Sequence, residues 1–278
     1  MICTLFVLSL LGGFCSGLLG VGGAVLLIPL LLTTPPLVGV GSLSMHEISG
    51  ITMVQVFAAS VTGCLAHRRS GFAHMRTILT IGIPMGVFSF VGAAASKSMT
   101  SQSLLLIFGC LVALAFVMLL KRSSGESDET VDFGFNGLLS AASGICVGFV
   151  SGIVGAGGGF ILIPVMIRIL KMPIRVAVGS SLGIVFIGAL MGSMGKILTL
   201  QVEWLYLLPV IAGSLPSSLL GAQVSKKIAP SRIRHILLFL VLIVLMKTWY
   251  DVAKIYDIGN RGAHNKPMQA TPKGAPDG

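Results

Sequence analysis

Long apolar stretches fill most of the chain, and short polar segments separate them. The first half has a glycine-broken apolar unit at residues 2–33, followed by apolar stretches at about 46–66, 77–95 and 103–120. The second half repeats this plan, with a broken unit at about 135–167 and stretches at about 176–195, 204–224 and 236–246. Backbone groups in lipid must hydrogen-bond internally, so continuous apolar stretches of roughly 20 residues predict transmembrane helices. The expected fold is an all-α, polytopic transmembrane helix bundle.

The two broken units repeat each other in sequence. Residues 13–29 read GFCSGLLGVGGAVLLIP, and residues 148–164, at an offset of 135, read GFVSGIVGAGGGFILIP. Ten of the 17 positions are identical, which indicates an internal repeat. We therefore divide the chain into a first transmembrane repeat at 1–120, a polar connecting loop at 121–134, a second transmembrane repeat at 135–250 and a disordered polar tail at 251–278.

The basic residues of the interior loops favour two inverted halves. If each glycine-broken unit dips into the membrane and returns, the loops at 66–76, 121–134, 168–175 and 226–234 share one side and hold 12 Lys and Arg residues. The loops of the other side then hold only Lys97 and Lys196. If each unit crosses fully, the interior loops split 8 against 6. With the five Lys and Arg residues of the tail the counts become 12 against 7 in the first arrangement and 8 against 11 in the second. Because short cytoplasmic loops are rich in Lys and Arg, we favour re-entrant or half-helix units and inverted halves.

Composition narrows the functional class. The chain is 54% hydrophobic and 10% charged, and its mean hydropathy is +0.97. A soluble domain carries about 25% charged residues, so we expect a multi-pass integral membrane protein, in contact with the lipid bilayer. The net charge of +10 lies in the loops and reports orientation, so we expect no nucleic-acid partner. The five scattered cysteines form no CxxC motif, and we expect no metal and no cofactor. The predicted spans hold no catalytic constellation, which argues against an enzyme.

The two glycine clusters are the strongest candidates for a binding site. Glycines let the backbone leave a helix without a steric penalty, and the apolar run that follows begins a half-helix with a partial positive charge at its N-terminus. Such an end, buried in the membrane, favours an anion. The substrate-binding candidates are Ser16, Gly17, Gly20, Gly22, Gly23, Ser151, Gly152, Gly155, Gly157, Gly158 and Gly159, with Ser180 and Ser181 after the second break. The alternative for each glycine is close helix packing through small-xxx-small patterns.

Ionisable residues are almost absent from the predicted spans. His46 and Glu47 begin one span, and Gln55 lies two turns further along it. A carboxylate within the membrane is a functional candidate, so we name these three residues as candidates for coupling or gating, with a proton as the possible coupling ion. Glu47 could instead complement the dipole of the helix that it begins.

At its two G-F-x-S-G-x-x-G-x-G-G motifs the sequence resembles the TauE/SafE family of sulfite exporters. The resemblance covers roughly residues 1–250 and includes the half length of about 130 residues and the polar middle loop. It implies a permease of the bacterial plasma (inner) membrane for small sulfur-containing anions, such as sulfite or organosulfonates. It also implies roles for the motif glycines named above. Ala24 stands where the second motif has Gly159, so the two sites need not be equivalent.

The leading hypothesis is a secondary transporter that works by alternating access around a small anion. A non-transporting membrane scaffold or subunit, in which the glycines only pack helices, is the main rival, and a passive small-anion channel is the third. The exact substrate, the transport direction and the oligomeric state stay open.

Overall fold

The structure is a computed structural model that describes the backbone of residues 1–20, 22–68, 74–120, 136–225, 227–228 and 230–264. Over these ranges the chain forms ten α-helices and a short 3-10 turn at Ser96–Ser98, and no strand. The helices are α1 (Ile2–Leu19), α2 (Ala24–Leu37), α3 (Met45–Arg68), α4 (Met75–Ala95), α5 (Ser101–Leu120), α6 (Gly137–Val154), α7 (Gly159–Arg168), α8 (Ile174–Leu198), α9 (Trp204–Ser225) and α10 (Pro230–His264).

Seven helical segments of the described chain are long and apolar enough to cross a membrane. They are Ile2–Leu19, Met75–Ser98, Ser101–Leu120, Gly137–Val154, Val176–Leu198, Trp204–Ser225 and His235–Ala253. The shorter apolar helices α2 and α7 each follow one glycine cluster. The all-α membrane bundle expected from the apolar pattern is therefore confirmed.

The first helix of each half packs mainly on a helix of the other half. Helix α1 lies along α9, and its counterpart α6 lies along α4. The same exchange pairs α3 with α9 and α8 with α4, while α3 and α8 contact each other. Side chains of α3 such as Thr52 and Gln55 are fully buried, so this more polar helix lies inside the bundle.

Small residues permit the close approach of the exchanged helices. A side chain on Gly17 would collide with the backbone of Ser218 in α9, and one on Gly152 would collide with the backbone of Ser89 in α4. Gly13 and Gly148 make matching contacts against α9 and α4. Both helix pairs therefore use the small-xxx-small packing that drives association in lipid.

The outer surface is apolar, as a lipid-facing surface must be. Helices α5 and α10 pack against each other at the periphery, and α10 has the least buried span of the seven. Large apolar side chains on these helices lie exposed, among them Leu114, Val117, Phe239, Ile243 and Met246. The exposed Trp204, at the start of α9, is typical of the membrane–water interface.

Two boundaries differ from the expected ones. Helix α10 runs from Pro230 through His264, so it begins before the apolar stretch at 236–246 and enters the segment assigned to a disordered tail. Its polar continuation extends the hydrogen-bonded ladder past the apolar stretch. The connecting loop at 121–134 and residues 265–278 lie outside the described residues.

Candidate functional site

The glycine clusters break the chain between helices in the same way in both halves. Helix α1 ends at Leu19 and α2 begins at Ala24, while α6 ends at Val154 and α7 begins at Gly159. Three glycines of each break have left-handed φ angles, which other residues adopt only with strain. These are Gly20, Gly22 and Gly23 at 69°, 88° and 71°, and Gly155, Gly157 and Gly158 at 78°, 63° and 71°.

Each break presents backbone N–H groups without acceptors. In the described part of the first break, the N–H groups of Gly22, Gly23 and Ala24 donate to no protein acceptor. The same holds for Gly157, Gly158 and Gly159 at the second break. Neither α2 nor α7 has a side-chain cap at its N-terminus. Each break therefore combines free donors with the positive end of a helix.

The two breaks meet at one side chain of the central helix α3. A methyl group built on Gly22 would lie 3.1 Å from Val56 Cγ1 and 3.7 Å from Val185 Cγ1 of α8. A methyl group built on Gly157 would also run into Val56. Both glycine-rich segments therefore approach Val56, and they do so inside the bundle, because Val56 has no exposed surface.

One hydroxyl group attaches each break to the opposite half of the chain. Thr52 Oγ1 of α3 donates to the carbonyl of Gly155 over 2.9 Å, and Ser181 Oγ of α8 donates to the carbonyl of Gly20 over 3.0 Å. The four atoms occupy matching positions in the two repeats. Both serine and threonine hydroxyls also contact carbonyls of their own helices, so they are held in place from two directions.

Thr52→Val should destabilise the protein by about 1 kcal/mol, because the Gly155 carbonyl loses its donor in a buried place. Ser60→Ala is the matched control, since the buried Ser60 hydroxyl bonds only to Phe57 of its own helix. Thermal unfolding in detergent measures both variants. Equal effects of the two substitutions would show that the bond between the halves contributes nothing beyond an intrahelical hydroxyl bond.

The first break holds side chains whose polar atoms have no partner. Ser16 Oγ and both amide atoms of Gln55 are buried without a hydrogen bond, and both residues have 0% exposure. A methyl group on Gly23 would lie 3.1 Å from Ser16 Cβ, and one on Gly12 would lie 3.4 Å from Gln55 Nε2. At the second break, in contrast, Ser151 Oγ donates to the carbonyl of Gly148 over 3.0 Å.

Other residues named from the sequence lie away from the breaks. Gly17 and Gly152 sit in the helix contacts described above, and Ser180 Oγ accepts from the backbone N–H of His74 at 3.1 Å, next to the start of α4. Gly159, which replaces Ala24 in the repeat, stays at the second break as the first residue of α7. Of the substrate-binding candidates, the breaks therefore bring together the remaining glycines with Ser16, Ser151 and Ser181.

The three candidates for coupling or gating, His46, Glu47 and Gln55, lie in different surroundings. Glu47 Oε2 accepts from the N–H of Ser44 at 2.7 Å, and Ser44 Oγ accepts from the N–H of Glu47 at 3.3 Å. This reciprocal pair is a capping box, which stabilises the start of α3. His46 Nδ1 lies 3.3 Å from Ser101 Oγ of α5, and its Nε2 is buried without a partner. Gln55 is the only one of the three at a glycine break.

Sequence reasoning placed Lys196 in a loop, and this was wrong. Lys196 lies in the last turn of α8 with no exposed surface. Its Nζ donates to Ser96 Oγ at 2.6 Å, to Gln201 Oε1 at 3.0 Å and to the carbonyl of Ile153 at 3.2 Å. No carboxylate of the described residues pairs with it. Ile153 lies just before the second break, so this cluster ties the end of α6 to α8, to the 3-10 turn that follows α4 and to the segment between α8 and α9.

The described residues at the site include no cluster of metal-ligating side chains. Over the ranges that the structure describes, no three His, Cys, Asp or Glu side chains come together as metal ligands would. The chemistry available at the breaks is hydrogen bonding by backbone amides, hydroxyls and one amide side chain.

Comparisons with known proteins agree with a transport function. The family described as Sulfite exporter TauE/SafE matches residues 5–248. The probable membrane transporter protein YunE of Bacillus subtilis is 24% identical, over 89% of this chain and 97% of its own length. A probable membrane transporter protein of Xylella fastidiosa is 29% identical over 87% and 93%, and MJ0441 of Methanocaldococcus jannaschii, of the same description, is 27% identical over 84% and 90%.

No solved structure matches the chain significantly, so the relatives and the family carry the assignment. The family match covers both glycine breaks and all seven candidate spans, except the first three residues of the first span and the last five of the seventh. The chain belongs to the TauE/SafE family and is a multi-pass membrane transporter.

Proposed function

We propose that the protein moves a small anion across the bacterial plasma membrane, and that the two glycine breaks form its binding site. The observation that carries the proposal is that both breaks, each with backbone N–H groups that have no acceptor, approach the same buried side chain, Val56. Backbone amides at an uncapped helix N-terminus bind oxyanions, because they offer several donors without a competing negative charge.

The charge distribution supports an anion rather than a cation. Helices α1, α2, α6 and α7, which form the two breaks, contain no Asp or Glu. The uncapped N-termini of α2 and α7 add partial positive charge. Both N-termini are buried, away from water, where electrostatic interactions are stronger. Family membership suggests sulfite or an organosulfonate as the substrate.

The exchanged packing supports inverted halves and alternating access. Contacts of α1 with α9 and of α6 with α4 are what a twofold relation between the repeats produces. In many transporters such repeats move against each other around a site near the midplane. Gly20 and Gly155, each tied to the other half, would then follow the partner half during the movement. A proton is the proposed coupling ion, with His46 and Glu47 as its candidate carriers.

The purified protein should be stabilised by its substrate. A ligand that binds only the folded state raises stability by about 2.7 kcal/mol at 100 times its dissociation constant. The test compares thermal midpoints with sulfite, sulfate, sulfoacetate, taurine and chloride, followed by flux into proteoliposomes with the ligand that stabilises most. A folded protein that none of these ligands stabilises, and that carries none of them, would favour the scaffold. Flux that does not saturate would favour a channel.

A further inference from the structure

We propose that Gln55 selects a substrate that carries a hydrogen-bond donor as well as its anionic group, and that this recognition takes place at the first break. The inference rests on the proposed anion site and assigns a chemical requirement to its ligand. It is based on the buried side-chain amide of Gln55, whose Oε1 and Nε2 atoms both lack a hydrogen-bond partner among the described residues.

The amide of Gln55 is an unusual feature of a membrane interior. Its Oε1 and Nε2 are both buried and both lack a partner among the described residues. An unsatisfied buried polar group destabilises a fold by about 1–3 kcal/mol. Leucine or methionine would fill the same space without this penalty. A glutamine in this position is therefore explained by a partner that arrives with the substrate.

The amide lies close to the free N–H groups of the first break. Gln55 Nε2 packs against Gly12 of α1, and the carbonyl of Gly12 contacts Gly23 in the break. The next residue along α3, Val56, contacts Gly22. Ser16, whose hydroxyl is also unpaired, contacts Gly23 from the same side. A ligand on the N–H groups of Gly22 and Gly23 would therefore have the amide and this hydroxyl within reach.

The second break has no equivalent of this amide among the described residues. Thr52 and Ser181 occupy matching positions in α3 and α8, and by the same offset Gln55 matches Ile184, which is fully buried. Ser151, which matches Ser16, already donates to Gly148. The backbone donors are thus duplicated. At the second break the unpaired polar group is a hydroxyl, that of the buried Ser49 beside Gly155, and among the described residues an unpaired amide occurs only at the first break.

An amide that must satisfy both ends constrains its ligand. The NH2 end donates and the carbonyl end accepts, so a ligand that only accepts leaves Gln55 Oε1 unpaired. This holds for either orientation of the amide, since neither end has a protein partner. Anions that bear a hydroxyl, an amine or an acidic proton meet the requirement, and fully deprotonated or halide anions do not.

Two matched pairs of probes test the requirement: 2-hydroxyethanesulfonate against ethanesulfonate, and glycolate against acetate. In each pair the members differ by one hydroxyl group. We expect the wild-type protein to bind the hydroxylated member of at least one pair about tenfold more tightly, measured by concentration-dependent thermal shift. Gln55→Leu should abolish this preference. The same variant should be more stable than the wild type without ligand, because an unpaired amide is gone.

Ser140→Ala is the control, since Ser140 on the first turn of α6 is also buried and unpaired. It should keep the preference. Gln55→Met is a second variant, with an unbranched chain for the same space. Equal binding of both members of each pair by the wild type, or an unchanged preference in both Gln55 variants, overturns the role of Gln55 and leaves the anion site standing. Absence of binding by all four probes and by the sulfur anions above would overturn the anion site itself.

Discussion

Gly157→Ala is expected to abolish transport and to destabilise the protein by about 3 kcal/mol. Two effects add. A left-handed φ of 63° is unfavourable for alanine by about 1–2 kcal/mol. The new methyl group would also collide with Val56, in a bundle that has no space for it, and overpacking of this kind destabilises by about 1–3 kcal/mol. The forced separation of α3 from the second break would move the N–H groups of this break relative to those of the first.

Gly39→Ala separates the conformational effect of the left-handed φ angle from the steric effect of the collision. Gly39 has a φ of 70°, close to that of Gly157, but nothing lies within 4 Å of a methyl group built on it. It should lose only the conformational part, about 1–2 kcal/mol, and keep its transport. Both variants should appear in the membrane in similar amounts, and flux and thermal midpoint are measured on each. Normal flux in the Gly157 variant would contradict a binding site at the second break.

Lys196→Met should destabilise the protein by about 3 kcal/mol or more. The substitution removes three hydrogen bonds from a fully buried amino group. It leaves the Ile153 carbonyl without this donor, and it leaves Gln201 Oε1 with the Ser96 hydroxyl alone. A hydrogen bond contributes about 0.5–1.5 kcal/mol, and a buried partner that is left unpaired destabilises the fold by about 1–3 kcal/mol more. Lys97→Met, one residue after Ser96 and exposed, should change stability by less than about 0.5 kcal/mol.

A combined variant tests whether the loss of stability in Lys196→Met comes from the hydrogen-bond partners that it leaves unpaired. Replacing Lys196 by Met, Gln201 by Leu and Ser96 by Ala removes both sides of most of these bonds. If unpaired partners dominate the effect, the triple variant should recover much of the stability, because apolar groups of similar shape can replace a buried polar cluster. Denaturant or thermal unfolding compares the single and the triple variant. A triple variant that is less stable than Lys196→Met would show that the remaining bonds of the cluster stabilise independently of the lysine.

The repeat and the helix breaks could be predicted because they depend on local chemistry. Left-handed backbone at Gly20, Gly22 and Gly23 needs glycine, and the same letters recur at the second break. Apolar stretches of bilayer length give the spans directly. These features require no knowledge of what packs against them.

The sequence did not predict which polar side chains are buried, because burial depends on contacts between distant helices. Lys196 is close to the end of an apolar stretch and looks like a residue at a membrane boundary, yet Ser96, one hundred positions earlier, covers it. The signal that was available is a lone ionisable residue within an apolar helix, followed shortly by Gln201. Gln55 was recognised as a candidate, but its unpaired amide follows only from the packing of α1 and α2 around it.

The exchanged helix packing has a consequence for how the chain is made. Helix α1 is complete by Leu19, but α9, the helix that covers its glycine-rich side, begins only at Trp204. A ribosome that feeds the chain into the membrane must therefore release nearly all of it before α1 meets its partner. During that time the backbone groups next to Gly13 and Gly17 face lipid or an insertion factor. The first repeat produced alone would keep this surface open, so the two repeats should be able to associate when they are expressed as separate chains in the same cell.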